Sequence, residues 1–394
     1  MESRPEAVVV VRTSLVTLAL LAGVASGQPT DAEIIGHDES WRVDDVELRA
    51  EYLSQRGHGY QSQDGPIAGP GSEAMGVFEP YALVTVHQND KITHEITAPV
   101  DIISAASPDA VDATTQASRR NESEDLEVRS TFKLWDHDLL TTRVGAHHEE
   151  PMSSGSIGAG WRHSLADDNA TIGANANITI DGFDDHDHYG DYLGKTARET
   201  FNLNLTGSQL LSPTTVIDGG YGVTFQHGTL DTGWNAVPVA GGALSNEILP
   251  SDRVRHALSV RLAQHVPATR STLKLWYRAY LDDFGIQAHS VELAAYQYVV
   301  PWLYVRGAYR YHHQTGADFF TTQLPMFYDN TALHTADSDL APFSANEWSV
   351  QVAMVRGRTP GSLHDWSFGA EVLRYWRSND LQITVVSLTV GRRM

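Results

Sequence analysis

Leu273–Asp318 reads LKLWYRAYLDDFGIQAHSVELAAYQYVVPWLYVRGAYRYHHQTGAD and holds three consecutive runs in which apolar and polar side chains alternate. Successive side chains of a β-strand point to opposite faces, so each run predicts a strand with one apolar face and one charged face. In the third run these faces carry Leu303, Val305, Gly307, Tyr309 and Tyr311 against Tyr304, Arg306, Ala308, Arg310 and His312. Two folds fit this pattern: a soluble sandwich with the apolar face in its core, and an outer-membrane barrel with that face against lipid.

The alternation continues from Trp41 to the C-terminus and predicts an all-β fold of sixteen strands. Most of the predicted strands have ten or more residues, whereas strands of soluble proteins usually have about five or six. A tilted strand needs about 9–11 residues to cross a bilayer, so the lengths favour a transmembrane barrel. The predicted strands cover residues 41–54, 77–88, 91–100, 124–135, 139–149, 153–165, 170–181, 198–211, 214–226, 253–266, 270–282, 287–299, 302–313, 346–357, 364–377 and 381–391.

The connections between these strands alternate between short and long. Short turns rich in Pro, Gly, Asn and Asp, such as Gln88–Lys91 and Ala166–Asn169, follow every second strand. The long links lie between them, at residues 55–76, 101–123, 182–197, 227–252 and 314–345. Bacterial outer-membrane barrels have short periplasmic turns and long outer loops, and their aromatic residues collect at the two membrane interfaces. The alternation of short and long connections and the tryptophans near strand ends therefore predict an antiparallel up-and-down transmembrane barrel.

The composition excludes several classes of protein. The 394 residues include no cysteine, so disulfides, thiolate metal sites, a cysteine nucleophile and a lipoprotein anchor are excluded. Lys and Arg number 28 and Asp and Glu number 49, for a formal net charge of −21. This balance disfavours nucleic-acid binding, which needs a basic surface. After the N-terminus no apolar run reaches the roughly 20 residues of a spanning helix, so a helical membrane protein is also excluded.

The N-terminus predicts export. Arg4 and Arg12 precede the apolar run Leu15–Val24, and small residues follow where a signal peptidase cleaves. A membrane anchor is the alternative, but the run is too short for one. We therefore expect a signal peptide at residues 1–27, a mobile polar leader at 28–40, an outer-membrane barrel at 41–394, and a location in the outer membrane of a Gram-negative cell envelope.

Four motifs resemble the bacterial family known as domain of unknown function 3570. They are Asp101–Pro108 (DIISAASP) followed by Arg119 and Arg120, Leu249–His256 (LPSDRVRH), Tyr277–Ile286 (YRAYLDDFGI) with Ala288 and His289, and Tyr309–Phe320 (YRYHHQTGADFF). The resemblance covers most of the chain after the signal peptide. It implies an outer-membrane β-barrel, and no reaction is assigned to the family. Members are often encoded near thioredoxin-like and flavin-attachment proteins, so the resemblance also points to a redox-related envelope complex.

The charged faces of the strands would line the lumen of such a barrel. Strands ten to thirteen send inwards a largely basic set that we expect to face solute: Arg253, Arg255, Arg261, Lys274, Arg278, Glu292, Arg306 and Arg310. Earlier strands send inwards Asp45, Glu47, Arg49, Glu51, Glu95, Glu127, Arg129 and Lys133. Side-chain charge sets the selectivity of a pore, so the basic set predicts an anion-attracting wall. The alternative interpretation is a lattice of cross-strand ion pairs that fills a closed lumen.

Signals for metal binding or catalysis are weak. The segment Asp181–Asp191 holds five aspartates and two histidines, but its spacing differs from that of a calcium loop, and we expect a solvated outer loop without bound metal. Adjacent histidines such as His312 and His313 point to opposite faces and cannot hold one ion together. The chain contains no nucleophile elbow, His-Glu-x-x-His or phosphate loop, so we expect no catalytic residue and no cofactor.

These observations predict an outer-membrane β-barrel that is not an enzyme and most resembles a porin-like channel for small polar or anionic solutes. One alternative is a non-transporting structural or accessory barrel of an envelope complex. A remote alternative is a membrane-embedded hydrolase whose Ser, His and orienting residue meet across strands. The expected partners are outer-membrane lipid, the barrel assembly machinery and a small polar solute.

Overall fold

The alternating pattern folds into a single closed barrel. The computed structural model describes residues 41–57, 75–104, 120–149, 152–187, 191–231 and 236–394. In it, sixteen antiparallel strands each pair with two neighbours, and the last strand pairs with the first. This final ladder runs from Asp45 opposite Arg393 to Arg56 opposite Gln382. The predicted all-β, antiparallel up-and-down transmembrane barrel of about sixteen strands is therefore confirmed.

Eighteen strands occur in the described chain, of which β10 and β11 form a separate hairpin and the other sixteen form the barrel. Because β10 and β11 lie outside the barrel sheet, β9 pairs directly with β12. In chain order the strands are β1 (Arg42–Arg56), β2 (Met75–Asn89), β3 (Ile92–Ser104), β4 (Arg120–Trp135), β5 (Asp138–Glu149), β6 (Met152–Leu165), β7 (Ala170–His186), β8 (Tyr192–Ser212), β9 (Thr215–Gly228), β10 (Ala236–Val239), β11 (Ala243–Asn246), β12 (Asp252–Val266), β13 (Ser271–Asp282), β14 (Gln287–Val300), β15 (Leu303–Gln314), β16 (Phe343–Met354), β17 (Trp366–Arg377) and β18 (Gln382–Arg393).

The sixteen predicted strands correspond to the sixteen barrel strands, with differences of a few residues at their ends. The largest difference lies at the link predicted for residues 182–197, because β7 continues to His186 and β8 begins at Tyr192. The hairpin β10–β11 was not predicted; its strands have only four residues each and lie in the link predicted for 227–252. The expected signal peptide at 1–27 and leader at 28–40 lie outside the described residues.

The outward face of the barrel is apolar. Leu275 and Leu293 lie opposite each other in β13 and β14 and are 49% and 55% exposed. Leu48, Ile157 and Leu388 are likewise exposed on other strands. Burial of apolar surface is favourable by about 25 cal/mol per Å², so this face requires lipid. No helix of the described chain is long and apolar enough to cross a bilayer, a finding that concerns helices alone.

Tryptophans mark both rims of the apolar face. Trp41 and Trp135 are exposed at the end of the barrel where the turns are short, and Trp348 is exposed in the half nearer the long loops. Tryptophan prefers the boundary between hydrocarbon and headgroups because its ring is amphipathic. The arrangement agrees with aromatic girdles at the two surfaces of an outer membrane.

We expect the outward face to tolerate charge only near the membrane surface. Leu293→Arg, at the middle of β14, should lower the free energy of unfolding by about 2–4 kcal/mol, whereas Val299→Arg, at the short-turn end of the same strand, should lower it by at most about 1 kcal/mol. Urea titration of the barrel folded in phospholipid vesicles measures both values. Equal losses for the two variants would contradict a lipid-facing surface.

Candidate functional site

The eight residues of the predicted site lie together on the face opposite the apolar one, which points into the barrel. Their outward neighbours, such as Leu262, Leu275 and Tyr309, are exposed on the other face. The eight predicted residues occupy four adjacent strands, β12–β15, and are named the basic wall here: Arg253, Arg255, Arg261, Lys274, Arg278, Glu292, Arg306 and Arg310. The structure thus gathers these residues on one wall, while their contact with a solute remains a prediction.

Four arginines of the basic wall are paired with carboxylates. Arg306 lies between two of them, 3.3 Å from Glu292 and 3.1 Å from Glu371. Glu371 belongs to β17, two strands away from β15, so this contact crosses the concave inner surface of the barrel. The other pairs are Arg253 with Asp282 at 3.0 Å, Arg261 with Asp218 at 2.9 Å, and Arg310 with Glu347. These contacts are the ion-pair lattice that the alternative interpretation describes.

The other three cations of the basic wall have no carboxylate within salt-bridge distance among the described residues. Lys274 Nζ lies 4.5 Å from the centroid of the Tyr296 ring. Arg255 donates to the side-chain oxygen of Gln226, which is a neutral group. Arg278 lies opposite a serine in β14. These three residues therefore carry positive charge that the lattice does not neutralise.

The inward face of β1–β4 forms a second wall, which is acidic. Three strands on one side, β16–β18, and five on the other, β5–β9, separate it from the basic wall, so the two walls face each other across the lumen. Opposite charges on opposite walls produce an electric field across the lumen. The acidic wall comprises Asp45, Glu47, Glu51, Glu79, Glu95, Asp125 and Glu127, with Arg49, Arg129 and Lys133 among them.

A third wall, on β6–β9, is uncharged over its central part. The asparagine amides lie over glycines: a Cβ on Gly158 would lie 2.7 Å from Asn177 Oδ1, and one on Gly222 would lie 2.7 Å from Asn204 Oδ1. This neutral wall comprises Ser156, Gly158, Gly160, Asn175, Asn177, Thr179, Thr200, Asn202, Asn204, Thr206, Gly220, Gly222, Thr224 and Gln226. The neutral wall was not predicted, although Asn-Ala-Asn at 175–177 and Asn-Leu-Asn at 202–204 repeat with the period of a strand face.

Two long outer loops dock on each other at the outer end of the barrel. The loop at residues 229–251 contains the hairpin β10–β11, and it pairs with the loop at residues 315–342 through isolated bridges, one of them between Ile248 and His334. Val237 and Thr335 are 0% exposed in these loops. The loops leave the barrel from β9 and β15, which have β12–β14 between them. Their contact therefore spans part of the outer mouth.

Inward side chains attach the loop at residues 315–342 to the rim. Gln314, at the end of β15, donates to the carbonyl oxygens of Asp339 at 2.9 Å and Ala341 at 2.8 Å. Arg377, at the end of β17, pairs with the Asp339 carboxylate at 2.5 Å. Because both anchors point inwards, the loop lies against the inner side of the rim and narrows the outer mouth.

The contact between the two loops buries acidic side chains. Thr335 donates to the Glu247 carboxylate at 2.8 Å, and the Asp339 backbone amide donates to Asp337 at 2.8 Å. Burial, together with the neighbouring carboxylates of Asp339 and Glu247, raises the pKa of Asp337 well above its usual range, and only the nearby guanidinium of Arg377 and the Asp339 amide act against this rise. The docked loops therefore favour the neutral form of Asp337.

The acidic segment Asp181–Asp191 differs from its prediction as a solvated outer loop. Its first six residues belong to β7, and Asp181 is buried and pairs with Arg198 at 2.7 Å. No group of three or more ligand-type side chains that could hold a metal ion occurs within the described ranges. His312 and His313 each contact a different serine, at 2.8 and 2.9 Å.

A closed sixteen-stranded barrel with an apolar outer face and a charged inner face is an outer-membrane β-barrel. A sequence model of the family described as "Protein of unknown function (DUF3570)" matches residues 181–382, and the chain belongs to this family. The match extends from the end of β7 to the start of β18, so it includes the basic wall and both docked loops. A comparison with curated proteins gave no match.

Several solved structures are similar to this barrel. A bacterial polysaccharide outer membrane secretin aligns with a TM-score of 0.50 and 8% identity, covering 89% of this chain and 98% of the secretin. OccK1 (OpdK) of Pseudomonas aeruginosa aligns with a TM-score of 0.44 and 11% identity over 91% of this chain and 100% of its own. A BenF-like porin from Pseudomonas fluorescens aligns with a TM-score of 0.46 and 10% identity over the same shares. At such low identity the likeness to the secretin shows the fold alone.

We expect the docking of the two loops to weaken as the pH rises. Asp337 has a raised pKa in the docked loops and an ordinary one when they separate, so docking is most stable at acid pH and loses stability as the pH passes upwards through the raised value. Hydrogen exchange of the backbone at residues 335–340, corrected for intrinsic rates, should accelerate as the pH is raised from about 4, the ordinary pKa of an aspartate.

Asp337→Asn, which is neutral at every pH, should remove this dependence. Asp329→Asn provides the control, because Asp329 is a solvent-exposed aspartate of the same loop that contacts Thr331. Its exchange should depend on pH as in the wild-type protein. A wild-type pH dependence in Asp337→Asn would contradict the assignment.

Proposed function

We propose that this outer-membrane β-barrel is a porin-like channel for small polar solutes that favours anions. The observation that carries the proposal is the unneutralised charge of Arg255, Lys274 and Arg278 on the inner face. An anion close to the protein wall gains more from such charges than it would in bulk water, because the effective dielectric constant near a protein surface is lower. In this proposal the chain moves solutes and performs no chemistry.

The acidic wall supports the same proposal. A field directed from the basic wall to the acidic wall draws an anion towards β12–β15 and turns a dipolar solute so that its negative end faces that side. Charged side chains that line a pore act in this way on selectivity. Solutes with a localised negative group and an otherwise polar body are therefore the class that the channel would favour.

A second candidate function, a non-transporting structural or accessory barrel, is favoured by contacts on the inner face and at the outer mouth. Four arginines of the basic wall form ion pairs with carboxylates. Leu381, Ile383 and Val385 form a buried apolar cluster with inward residues of β1 and β17. The docked loops cover part of the outer mouth. A barrel of this kind would hold partners in the envelope without conducting solutes.

Removal of the three unpaired cations should reduce anion selectivity. In the triple variant Arg255→Gln, Lys274→Gln and Arg278→Gln, the chloride-to-potassium permeability ratio should fall by about tenfold, which corresponds to a loss of roughly 1.4 kcal/mol of attraction. Reversal potentials in planar bilayers under a salt gradient measure the ratio. Arg374→Gln is the matched control, because Arg374 lies opposite the exposed Trp348 on the outward face. An unchanged ratio in the triple variant would contradict the proposal.

Shortening the docked loop separates the two candidate functions. Replacement of residues 319–336 by a short Gly-Ser linker keeps the anchors at Gln314 and Asp339 and removes most of the covering chain. For a channel, the single-channel conductance should rise above that of the wild-type protein, because the mouth becomes wider. If neither the wild-type protein nor the shortened variant conducts, the barrel has a structural role and is not a channel.

A further inference from the structure

One row of inward side chains joins the basic wall to the neutral wall. In the strand register, Arg255 lies opposite Thr224, Thr224 lies opposite Asn202, and Asn202 lies opposite Asn177. Neighbouring strands are about 4.8 Å apart, so the row presents a guanidinium, a hydroxyl and two amides at regular intervals. This row, Arg255–Thr224–Asn202–Asn177, is named the mixed row.

Hydrogen bonds hold the mixed row in place. Thr224 donates to Asn202 Oδ1 at 2.7 Å, and Asn177 Nδ2 donates to Thr179 at 3.1 Å. Arg255 donates to the Gln226 side chain. These contacts fix the side chains in one arrangement before any solute arrives. The entropic cost of ordering them on binding is therefore smaller.

The mixed row keeps hydrogen-bonding capacity that the described chain does not use. Arg255 Nε and Asn177 Oδ1 are buried and have no hydrogen-bond partner among the described residues. The next row towards the short-turn end begins with Ala257 and Gly222, which have little or no side chain. The Asn204 amide lies over Gly222, so a further amide flanks the cation and the line of hydroxyl and amide groups.

We propose that the mixed row binds small polyhydroxylated carboxylates, the class of the sugar acids. The carboxylate pairs with Arg255, whose guanidinium presents several donors in one plane. The hydroxyl groups contact Thr224 and Asn202, because hydroxyl and amide groups both donate and accept hydrogen bonds. The row from Arg255 to Asn202 covers two strand spacings, roughly 10 Å, and an extended six-carbon acid reaches along it when hydrogen bonds at both ends bridge the remaining distance.

The chemistry of the row distinguishes this class from simpler solutes. An alkyl carboxylate would pair with Arg255 but would place an apolar chain against the hydroxyl and amide groups of Thr224 and Asn202. These groups would lose their hydrogen bonds to water without replacement, which is unfavourable. An uncharged polyol would satisfy those groups but not the guanidinium. The inference rests on the proposed channel only in that the row must be reached from the lumen.

Binding to the refolded full-length barrel tests the site directly. Gluconate, hexanoate and glucitol share a six-carbon chain, and titration by saturation-transfer NMR gives a dissociation constant for each. Gluconate should bind at least about tenfold more tightly than either of the others, because only gluconate uses both parts of the row. Equal affinities for gluconate and hexanoate would overturn the proposal.

Substitutions then assign the binding to the row. Thr224→Val removes one hydroxyl at nearly constant volume and should weaken gluconate binding by about two- to tenfold without changing hexanoate binding. Arg255→Gln should weaken both anions alike. Thr131→Val is the matched control, because Thr131 lies on β4 and contacts Thr141 at 3.5 Å, and it should change neither. If Thr224→Val leaves the gluconate affinity unchanged, the row is not the site.

Bilayer recordings keep this test separate from that of the proposed function. Selective gluconate binding by a barrel that conducts no chloride would support the site and contradict the channel. Chloride conductance with anion selectivity, but with equal binding of gluconate and hexanoate, would leave the channel intact and overturn the site.

Discussion

A backbone amide or carbonyl that faces hydrocarbon without a hydrogen bond costs several kcal/mol, and this constraint determines the architecture of the molecule. The closed sheet meets it, since each barrel strand pairs on both sides. Once every strand is held in that way, alternate side chains must point to lipid or to the lumen. The apolar Leu293 and the charged Glu292 are neighbours in the chain and meet entirely different surroundings for this reason.

The same constraint explains which parts of the structure could be predicted from the sequence. Strand number, strand lengths and the inward orientation of Arg278 or Arg306 follow from a period of two, which is local information. The partners of Arg306 could not be predicted, because Glu371 is reached across two strands and depends on register. The contact between the two loops could not be predicted from the sequence either, because Ile248 and His334 meet only after the barrel has brought the loops together.

The neutral wall was missed for a different reason. Charged residues on one face of a predicted strand indicate a lumen, whereas Asn, Thr and Gly at the same positions resemble ordinary strand or turn residues. Their significance depends on the walls that flank them. Between a basic wall and an acidic wall, a surface such as that around Asn202 and Asn204 offers hydrogen bonds without competing for charge. The three walls together give the inner face a basic, an acidic and an uncharged part, each on its own group of strands.

The pairing of β1 with β18 also sets the order of events in assembly. Most ladders join strands that are close in sequence, but this one joins Asp45 to Arg393, nearly the whole length of the chain apart. Such distant contacts carry the largest loss of chain entropy and form late. Until they form, β1 is a free sheet edge that can template pairing with foreign strands. The pairing of β1 with β18 removes both free edges in a single ladder, so the sheet is protected against foreign strands only when its two most distant segments have met.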